Sequence, residues 1–232
     1  MRRRYRKYMT EYKLIRSRRQ TIGLYIRNGA LEVRAPLQCP QKEIDRFIAT
    51  KQDWVERHLA TSQTQAAARQ AFVLDYHAEI LYRGKLYPII ARAGIKAGFD
   101  GVEFYLPPAL DADAIMDICI KIYRRLAKTY FSQRVNFFAV QIGIQPSAVK
   151  INGAKTRWGS CSGKKSINFS WRLIMADDEV IDYVVVHELA HLLEMNHSDR
   201  FWAVVARVLP DFRNRQAKLK TLQMRLSTEH WN

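Results

Sequence analysis

Three histidines and one glutamate within a short stretch constrain this chain more than any other feature. The stretch reads His187-Glu-Leu-Ala-His191 and continues to His197. On a helix, four residues turn about 400° and rise about 6 Å, so His187 and His191 lie on one face, one turn apart. Glu188 lies beside that pair and can reach a metal-held water without being a ligand. If the chain turns back, His197 supplies a third imidazole, and the set fits the open tetrahedral site of a catalytic zinc.

The surrounding sequence favours a buried helix at this place. Residues 179–186 carry apolar side chains on most sides, as a buried helix does. Asp177 or Asp178 can cap its start, and Asn196 stands where a left-handed residue would end it. The alternative is a core helix with two incidental histidines. Three of the six histidines of the chain fall within eleven residues, which favours a metal site.

The third histidine has the spacing of the metzincin pattern H-E-x-x-H-x-x-G-x-x-H. Glu194 occupies the glycine position of that pattern, and no Met-turn is recognisable downstream. We therefore expect the ligand spacing of metzincins without their turn after the helix. Glu194 and Asp199 are candidates to orient a ligand imidazole, with surface placement as the alternative.

Length and cysteine usage indicate a globular protein of a reducing compartment. The 232 residues suffice for one substantial core or two small ones. The three cysteines, Cys39, Cys119 and Cys161, are odd in number and widely spaced, which fits neither a disulfide framework nor a C-x-x-C metal pair. A cytoplasmic location is expected. Neither a signal peptide nor an apolar run of about 20 residues is recognisable, so no membrane partner is expected.

The charge of the chain is strongly positive and concentrated at its beginning. The formal net charge is +16, and residues 1–19 hold nine basic residues against the single acid Glu11. A second basic stretch covers residues 213–220. This balance is typical of proteins that bind polyanions, and it predicts non-specific, salt-sensitive nucleic-acid binding through a basic N-terminal arm. A solubility tail with a solvated helix face is the alternative.

Turn residues and hydrophobic spacing predict the elements of the amino half. Two strands at 21–27 and 30–34 are joined by Asn28-Gly29, a strong hairpin signal. Helical spacing covers 42–59, and the Gln-, Ala- and Thr-rich stretch 61–69 is expected to be a linker or a frayed helix end. Further strands are predicted at 79–82, 86–91 and 101–105.

The carboxyl half is predicted to be mostly helical. A long helix from Asp111 to about residue 140 is expected to pack behind the metal-binding helix. Strands at 149–151 and 166–174 flank a turn at 157–163. Two more helices are predicted after the metal site, from Ser198 to Pro210 and from Asp211 to about residue 226.

Several segments of this half match one known family. They are Thr156-Arg-Trp-Gly-Ser-Cys-Ser162, Ile167-Asn-Phe-Ser-Trp-Arg-Leu173, the stretch 181–191, Asn196-His-Ser198 and Phe201-Trp202. The amino half adds residues 21–36 and the helix that contains Trp54, so the likeness covers roughly residues 15–215. In this combination the chain resembles the YgjP-like metallopeptidase family, a zincin group related to the SprT and WLM metalloproteases.

The resemblance implies an α+β fold, with a zincin-like catalytic domain built from a small β-sheet, a backing helix and an active-site helix. It implies one Zn²⁺ per chain held by His187, His191 and His197, with Glu188 as general base. It also implies that the strand at 166–174 is the sheet edge along which an extended peptide substrate lies. The related proteases act on DNA-bound proteins, a role that is only an analogy here.

We accordingly divide the chain into three parts: a basic arm at 1–17, a β-rich N-terminal region with one helix at 18–108, and a zincin-like metallopeptidase domain at 109–232. The expected reaction is peptide-bond hydrolysis by a metal-activated water, with Glu188 taking the proton. Tyr183 is a candidate oxyanion donor, with core packing as the alternative. Arg157 is a candidate anion-binding residue, with bracing of its turn as the alternative.

Two other functions remain open at this level. The basic chain can present nucleotides or phosphate esters to the metal, as a phosphohydrolase, although such enzymes more often use two metals and carboxylate ligands. The chain can also be a nucleic-acid-binding protein with structural zinc. Structural zinc usually has four protein ligands and no free acid beside it, so Glu188 argues against that function.

Overall fold

The computed structural model describes residues 2–4, 11–27, 29–94 and 96–231, and for 2–4 the backbone alone. The chain forms two compact units. The first contains the residues up to Phe72 together with Ser227–His230, and the second contains Val73–Leu226 and Trp231. The predicted boundary at residue 108 therefore falls inside the second unit. Of the predicted arm 1–17, positions 1 and 5–10 lie outside the described residues.

A four-stranded sheet forms the centre of the first unit. Its strands are β1 (Arg2–Arg4), β2 (Glu11–Ser17), β3 (Gly23–Arg27) and β4 (Ala30–Pro36), in the order β1-β2-β4-β3. The predicted hairpin is confirmed, since β3 and β4 pair antiparallel beside Gly29, whose φ of 73° suits the turn. Within the predicted arm, residues 11–17 form β2, which pairs parallel with β4 and buries Tyr12 in the core.

Two helices follow the sheet, where the sequence predicted one helix at 42–59 followed by a linker or a frayed helix end at 61–69. They are α1 (Gln41–Thr50) and α2 (Gln52–Ala71), separated at Lys51. Ile44, Ile48 and Val55 pack into the same core as β2 and β4. The stretch 61–69 belongs to α2 and not to a linker, because Ala and Gln are good helix formers even where few apolar side chains are buried.

The second unit begins with another four-stranded sheet. Its strands are β5 (Glu79–Tyr82), β6 (Lys85–Ala91), β7 (Gly98–Phe99) and β8 (Phe104–Leu106), in the order β5-β6-β8-β7. This sheet packs on α3 (Ala112–Ile142), where the Tyr123 hydroxyl donates to the Leu81 carbonyl at 2.6 Å and the Tyr123 ring lies against Phe104. That packing places the sheet with the helical half of the chain.

A three-stranded sheet and the long helix α3 support the predicted metal-binding helix. The strands are β9 (Ala148–Asn152), β10 (Gly159–Cys161) and β11 (Ser166–Ser170), in the order β10-β11-β9, with β11 parallel to β9 and antiparallel to β10. A 3₁₀ helix at Trp171–Met175 leads into α4 (Asp178–Ala190). Both α3 and β10 contact α4. The α+β fold with a small sheet, a backing helix and an active-site helix is thus confirmed.

Two helices complete the second unit, α5 (Asp199–Val208) and α6 (Phe212–Leu226). The Ser198 hydroxyl caps α5 by accepting from the Phe201 amide at 3.4 Å, as expected for a serine at a helix start. Both helices contact α4. Near the chain end, Trp231 is buried, and its carbonyl accepts a 2.6 Å bond from the Arg172 guanidinium.

Candidate metal centre and active site

The helix α4 is fixed at its start by two arginine–carboxylate pairs. Asp178 is held by Arg83 of the β5–β6 turn, and Asp182 is held by Arg134 of α3 through two bonds of 2.6 and 2.9 Å. Asp177 stands at the N-cap position without a side-chain capping bond. Apolar side chains on most sides are buried, as the sequence predicted, so the helix is held firmly before it reaches the histidines.

The end of α4 differs from the prediction. The helix ends at Ala190, and His191 is its C-cap. A tight turn follows, in which the amides of Leu193 and Glu194 both donate to the Ala190 carbonyl. The expected left-handed residue at Asn196 is wrong, since Asn196 is absent from the positive-φ residues of the described chain. The repeated i→i+3 bonds satisfy the last carbonyls without a left-handed residue.

The turn brings the three predicted histidines together. One ligand nitrogen from each of His187, His191 and His197 lies within 4.8 Å of the others. The Nε2 atoms of His187 and His197 are 3.1 Å apart. The Nδ1 atom of His191 is 3.1 Å from the Glu194 carbonyl oxygen, which leaves its Nε2 free to face the other rings. Glu194 therefore acts through its backbone, and the three rings form a pocket of nitrogen donors.

Burial keeps these imidazoles in the form that can bind a cation. Desolvation, with smaller contributions from the other two histidines, lowers the pKa of His187 to about 3. Desolvation also lowers the pKa of His191. Both rings are therefore neutral at physiological pH, with lone pairs available. Neutral imidazoles whose nitrogens converge are suited to bind a divalent metal.

Glu188 directly follows His187 in α4, and its side chain is buried. Glu188 is 5% exposed, and its Oε2 atom has no hydrogen-bond partner within the described part of the chain. Burial raises the pKa of Glu188 to about 7, and the positive charge of Arg157 opposes that rise. A buried carboxylate with a free oxygen and a pKa near neutrality is suited to accept and return a proton.

The short strand β10 runs past Glu188 and forms one edge of its sheet. The predicted edge, the strand at 166–174, is wrong, because β11 lies between β9 and β10 and its last residues belong to the 3₁₀ helix. The sequence assigned residues 157–163 to a turn and missed β10. Gly159 approaches Glu188 so closely that a Cβ atom there would stand 2.4 Å from Oε1. The edge strand and the carboxylate therefore share one site.

Aromatic rings surround the histidines. Phe201 is buried with its ring centroid 4.9 Å from that of His187, and Trp202 stacks on His197 at 5.7 Å. Tyr183 packs edge-on against His187 at 5.9 Å. Burial, together with the nearby Glu188 charge, raises the pKa of Tyr183, so its hydroxyl stays protonated. The rings restrict the rotation of the histidine side chains.

Two metallopeptidase zymogens of known structure are similar to part of this chain. No match was found among curated proteins. Abylysin of Pyrococcus abyssi, solved as a metallopeptidase zymogen, is 25% identical over 39% of this chain and 92% of its own, with a TM-score of 0.37. Jannalysin of Methanocaldococcus jannaschii, also a metallopeptidase zymogen, is 23% identical over 40% of this chain and 94% of its own, with a TM-score of 0.35.

None of the helices in the described ranges is long and apolar enough to cross a membrane. The family model of the YgjP-like metallopeptidase domain matches residues 20–222. That match covers both units, the three histidines and Glu188. Metallopeptidases act through a divalent metal, which the histidine pocket can hold. The chain belongs to the YgjP-like metallopeptidase family.

Proposed function

We propose that this protein is a zinc-dependent peptidase in which His187, His191 and His197 hold the metal and Glu188 is the general base. The observation that carries the proposal is the combination of three converging imidazoles with a buried, partly unpartnered carboxylate on the next residue. The same combination disfavours a purely structural metal, for which a free acid beside the ligands has no use.

The donor set supports zinc as the metal. Two nitrogens bound tetrahedrally at about 2.0–2.1 Å from zinc would lie about 3.3 Å apart. The 3.1 Å separation of the His187 and His197 Nε2 atoms is close to that value. Three nitrogen donors leave one position open, as in catalytic zinc sites, whereas magnesium and calcium prefer oxygen ligands.

The chemistry divides between the metal and Glu188. When bound, zinc supplies a Lewis acid that polarises the scissile carbonyl and makes a water acidic. Glu188 accepts the proton of that water on a carboxylate oxygen and returns it to the amine that leaves. Its burial keeps the two protonation states close in free energy, which favours both transfers. The protonated Tyr183 hydroxyl stays a candidate donor to the oxyanion.

We propose that the substrate lies along the edge strand β10. The Trp158 carbonyl accepts from the Ser170 amide and the Ser162 amide donates to the Ser166 carbonyl. In an antiparallel pair, bonded and unbonded positions alternate, so the backbone groups of Gly159 and Cys161 point away from β11. An extended peptide can pair with those groups and pass Glu188.

We also propose that the basic N-terminal region binds nucleic acid without sequence preference. Half of the formal net charge of the chain lies in residues 1–19. Within the described part, Lys13 and Arg18 are exposed. Clustered cations of this kind bind phosphates by releasing counterions, so the affinity falls steeply with salt. Replacing Arg2, Arg3 and Arg4 by Ser should weaken binding to any DNA sequence and flatten its salt dependence.

The deciding experiment is a cleavage time course on unfolded casein. Wild type is compared with Glu188→Gln, which keeps the metal but removes the base, and with Glu56→Gln, the same change on an exposed face of α2. We expect a 10²- to 10⁴-fold loss of kcat for Glu188→Gln. Zinc content should stay at one per chain in all three proteins.

Two results would contradict the proposal. One is equal cleavage by wild type and Glu188→Gln. The other is absence of cleavage by zinc-loaded wild type on casein and on a DNA-binding protein, with and without DNA. A requirement for DNA in the second assay would connect the basic region with proteolysis.

A further inference from the structure

The residue at position 159 lies in contact with the carboxylate proposed as general base. An ideal Cβ atom built on Gly159 would stand 2.4 Å from Oε1, 2.6 Å from Cγ and 2.7 Å from Cδ of Glu188. Real Cβ atoms do not approach other heavy atoms so closely. A side chain at this position and the observed Glu188 conformation therefore exclude one another.

The requirement for glycine here comes from space and not from backbone conformation. Gly159 is not among the described glycines with positive φ. At Gly84, by comparison, φ is 75° and a Cβ atom would also meet Asp177. An L-residue can thus adopt the backbone of Gly159 in strand β10, and the contact with Glu188 is what opposes it.

Glu188 cannot yield to a new side chain by a small movement. The close approach involves Cγ as well as the carboxylate, so relief requires rotation at the start of the side chain and not at its tip. That rotation would carry the carboxylate away from the edge strand. Glu188 is almost fully buried, which leaves few alternative positions.

We infer that Gly159 is a positioning residue, which sets the place of the Glu188 carboxylate by carrying no side chain. The inference rests on the proposed function for its catalytic meaning. The backbone groups of Gly159 also face the outer edge of the sheet β10-β11-β9, where the substrate is proposed to pair. One residue therefore fixes both the base and the peptide backbone on which it acts.

Gly159→Ala tests this inference, with Gly163→Ala as matched control. Gly163 lies just beyond β10, and a Cβ atom there meets nothing within 4 Å. In the zinc-loaded protein, Gly159→Ala should lower kcat about 100-fold, the usual result of a misplacement of about 1 Å. KM should change little, because alanine keeps the backbone groups that pair with substrate. Zinc content should remain at one per chain, and Gly163→Ala should behave as wild type.

A double-mutant cycle on the metal-free protein tests the contact without any activity. We expect Gly159→Ala to lower Tm by roughly 5 °C when Glu188 is present. In a Glu188→Ala background, where the opposing side chain is gone, the same substitution should leave Tm nearly unchanged. If Gly159→Ala alone does not fold and the double variant does, the inference is likewise supported.

Three outcomes would overturn the inference. They are an equal fall in Tm in both backgrounds, failure of the double variant to fold, and an unchanged kcat for Gly159→Ala in a protein that cleaves casein. If wild type cleaves nothing, the proposed function fails, and the Tm cycle still decides whether Gly159 positions Glu188.

Discussion

The ionisable side chains at the two ends of α4 differ in their hydrogen bonding. At the beginning of the helix, Asp178 and Asp182 each face an arginine that binds them through two nitrogens. At the end, the Glu188 Oε2 and His187 Nδ1 atoms are buried without a hydrogen-bond partner among the described residues. The same helix thus contains carboxylates with full sets of partners and a carboxylate with an incomplete one.

The difference shows how one element can both support a site and form it. A buried polar atom without a partner lowers stability, so it is retained where a ligand, a metal or a reacting group completes it. The paired carboxylates hold the helix against α3 and the β5–β6 turn. The following expectations test that division, in order of decreasing effect on the free energy of unfolding.

Zinc should stabilise the folded protein only through the end of α4 that contains His187 and Glu188. At free zinc about a thousand times Kd, binding to the folded state raises the free energy of unfolding by about 4 kcal/mol. Removing one ligand by His191→Ala should abolish this zinc-dependent gain. Urea unfolding with zinc and with a chelator measures both values. A zinc-dependent gain of the same size in His191→Ala would show that the metal binds elsewhere.

Breaking a pair at the beginning of α4 should destabilise the fold without touching the metal. Asp182→Asn leaves the Arg134 guanidinium without its carboxylate, and we expect a loss of about 2 kcal/mol. Asp117→Asn, on an exposed position of α3, is the control and should change little. Unfolding and zinc titration are measured on the same samples. Loss of zinc binding in Asp182→Asn would contradict the view that the start of α4 acts on stability alone.

Neutralising Glu188 should stabilise the metal-free protein, whereas Asp182→Asn should destabilise it. Burial raises the pKa of Glu188 in the folded, metal-free protein from 4.5 to about 7. Stability from this group is therefore present below pH 4.5 and lost as pH rises through 7. Glu188→Gln should make the metal-free protein more stable than wild type above pH 7, by about 1 kcal/mol, and similar to it at pH 4. Chelator-treated samples unfolded at both pH values provide the test. A destabilised Glu188→Gln protein at pH 8 would argue against this account.

The smallest effect on the free energy of unfolding should come from the Arg83–Asp178 pair, which is more exposed than the Arg134–Asp182 pair. The Arg83 guanidinium, with help from Tyr130, lowers the pKa of Asp178 below 3.8. A lowered carboxyl pKa gives stability that is present above pH 3.8 and lost as pH falls through the folded value. Because Asp178 is 48% exposed, solvent screening limits the gain to about 0.5 kcal/mol. The difference between wild type and Asp178→Asn should vanish in acid; a difference that persists at pH 2 would indicate another cause.

Local sequence patterns were sufficient to predict that His187, His191 and His197 lie close together. The four-residue spacing of His187 and His191 follows from helix geometry, and the third histidine needed only a turn in the chain. The hairpin beside Gly29 and the long helix α3 could also be predicted, because turn residues and apolar spacing act over short distances. How α4 ends could not be predicted from the sequence, because a tight turn and a left-handed residue can both satisfy the last carbonyls of the helix.

Elements that depend on distant contacts were missed. Strand β10 has only three residues, Gly-Ser-Cys, without the β-branched or aromatic side chains that mark strands, and it exists through pairing with β11. Strand β2 is rich in charge, and only the alternation around Tyr12 and Leu14 indicated a strand. The packing of the β5–β8 sheet on α3 could not be predicted, because it depends on contacts such as the hydrogen bond from Tyr123 to Leu81.

If a peptide pairs with β10 as we propose, the shortness of this strand limits how tightly the protein can hold that peptide. Three residues span about 10 Å of extended chain, and only two of them present backbone groups to a partner. A handful of exposed hydrogen bonds gives little net affinity. Binding of this kind depends on how often a peptide segment is near, so a partner held at high local concentration would be cut far more readily than the same sequence free in solution.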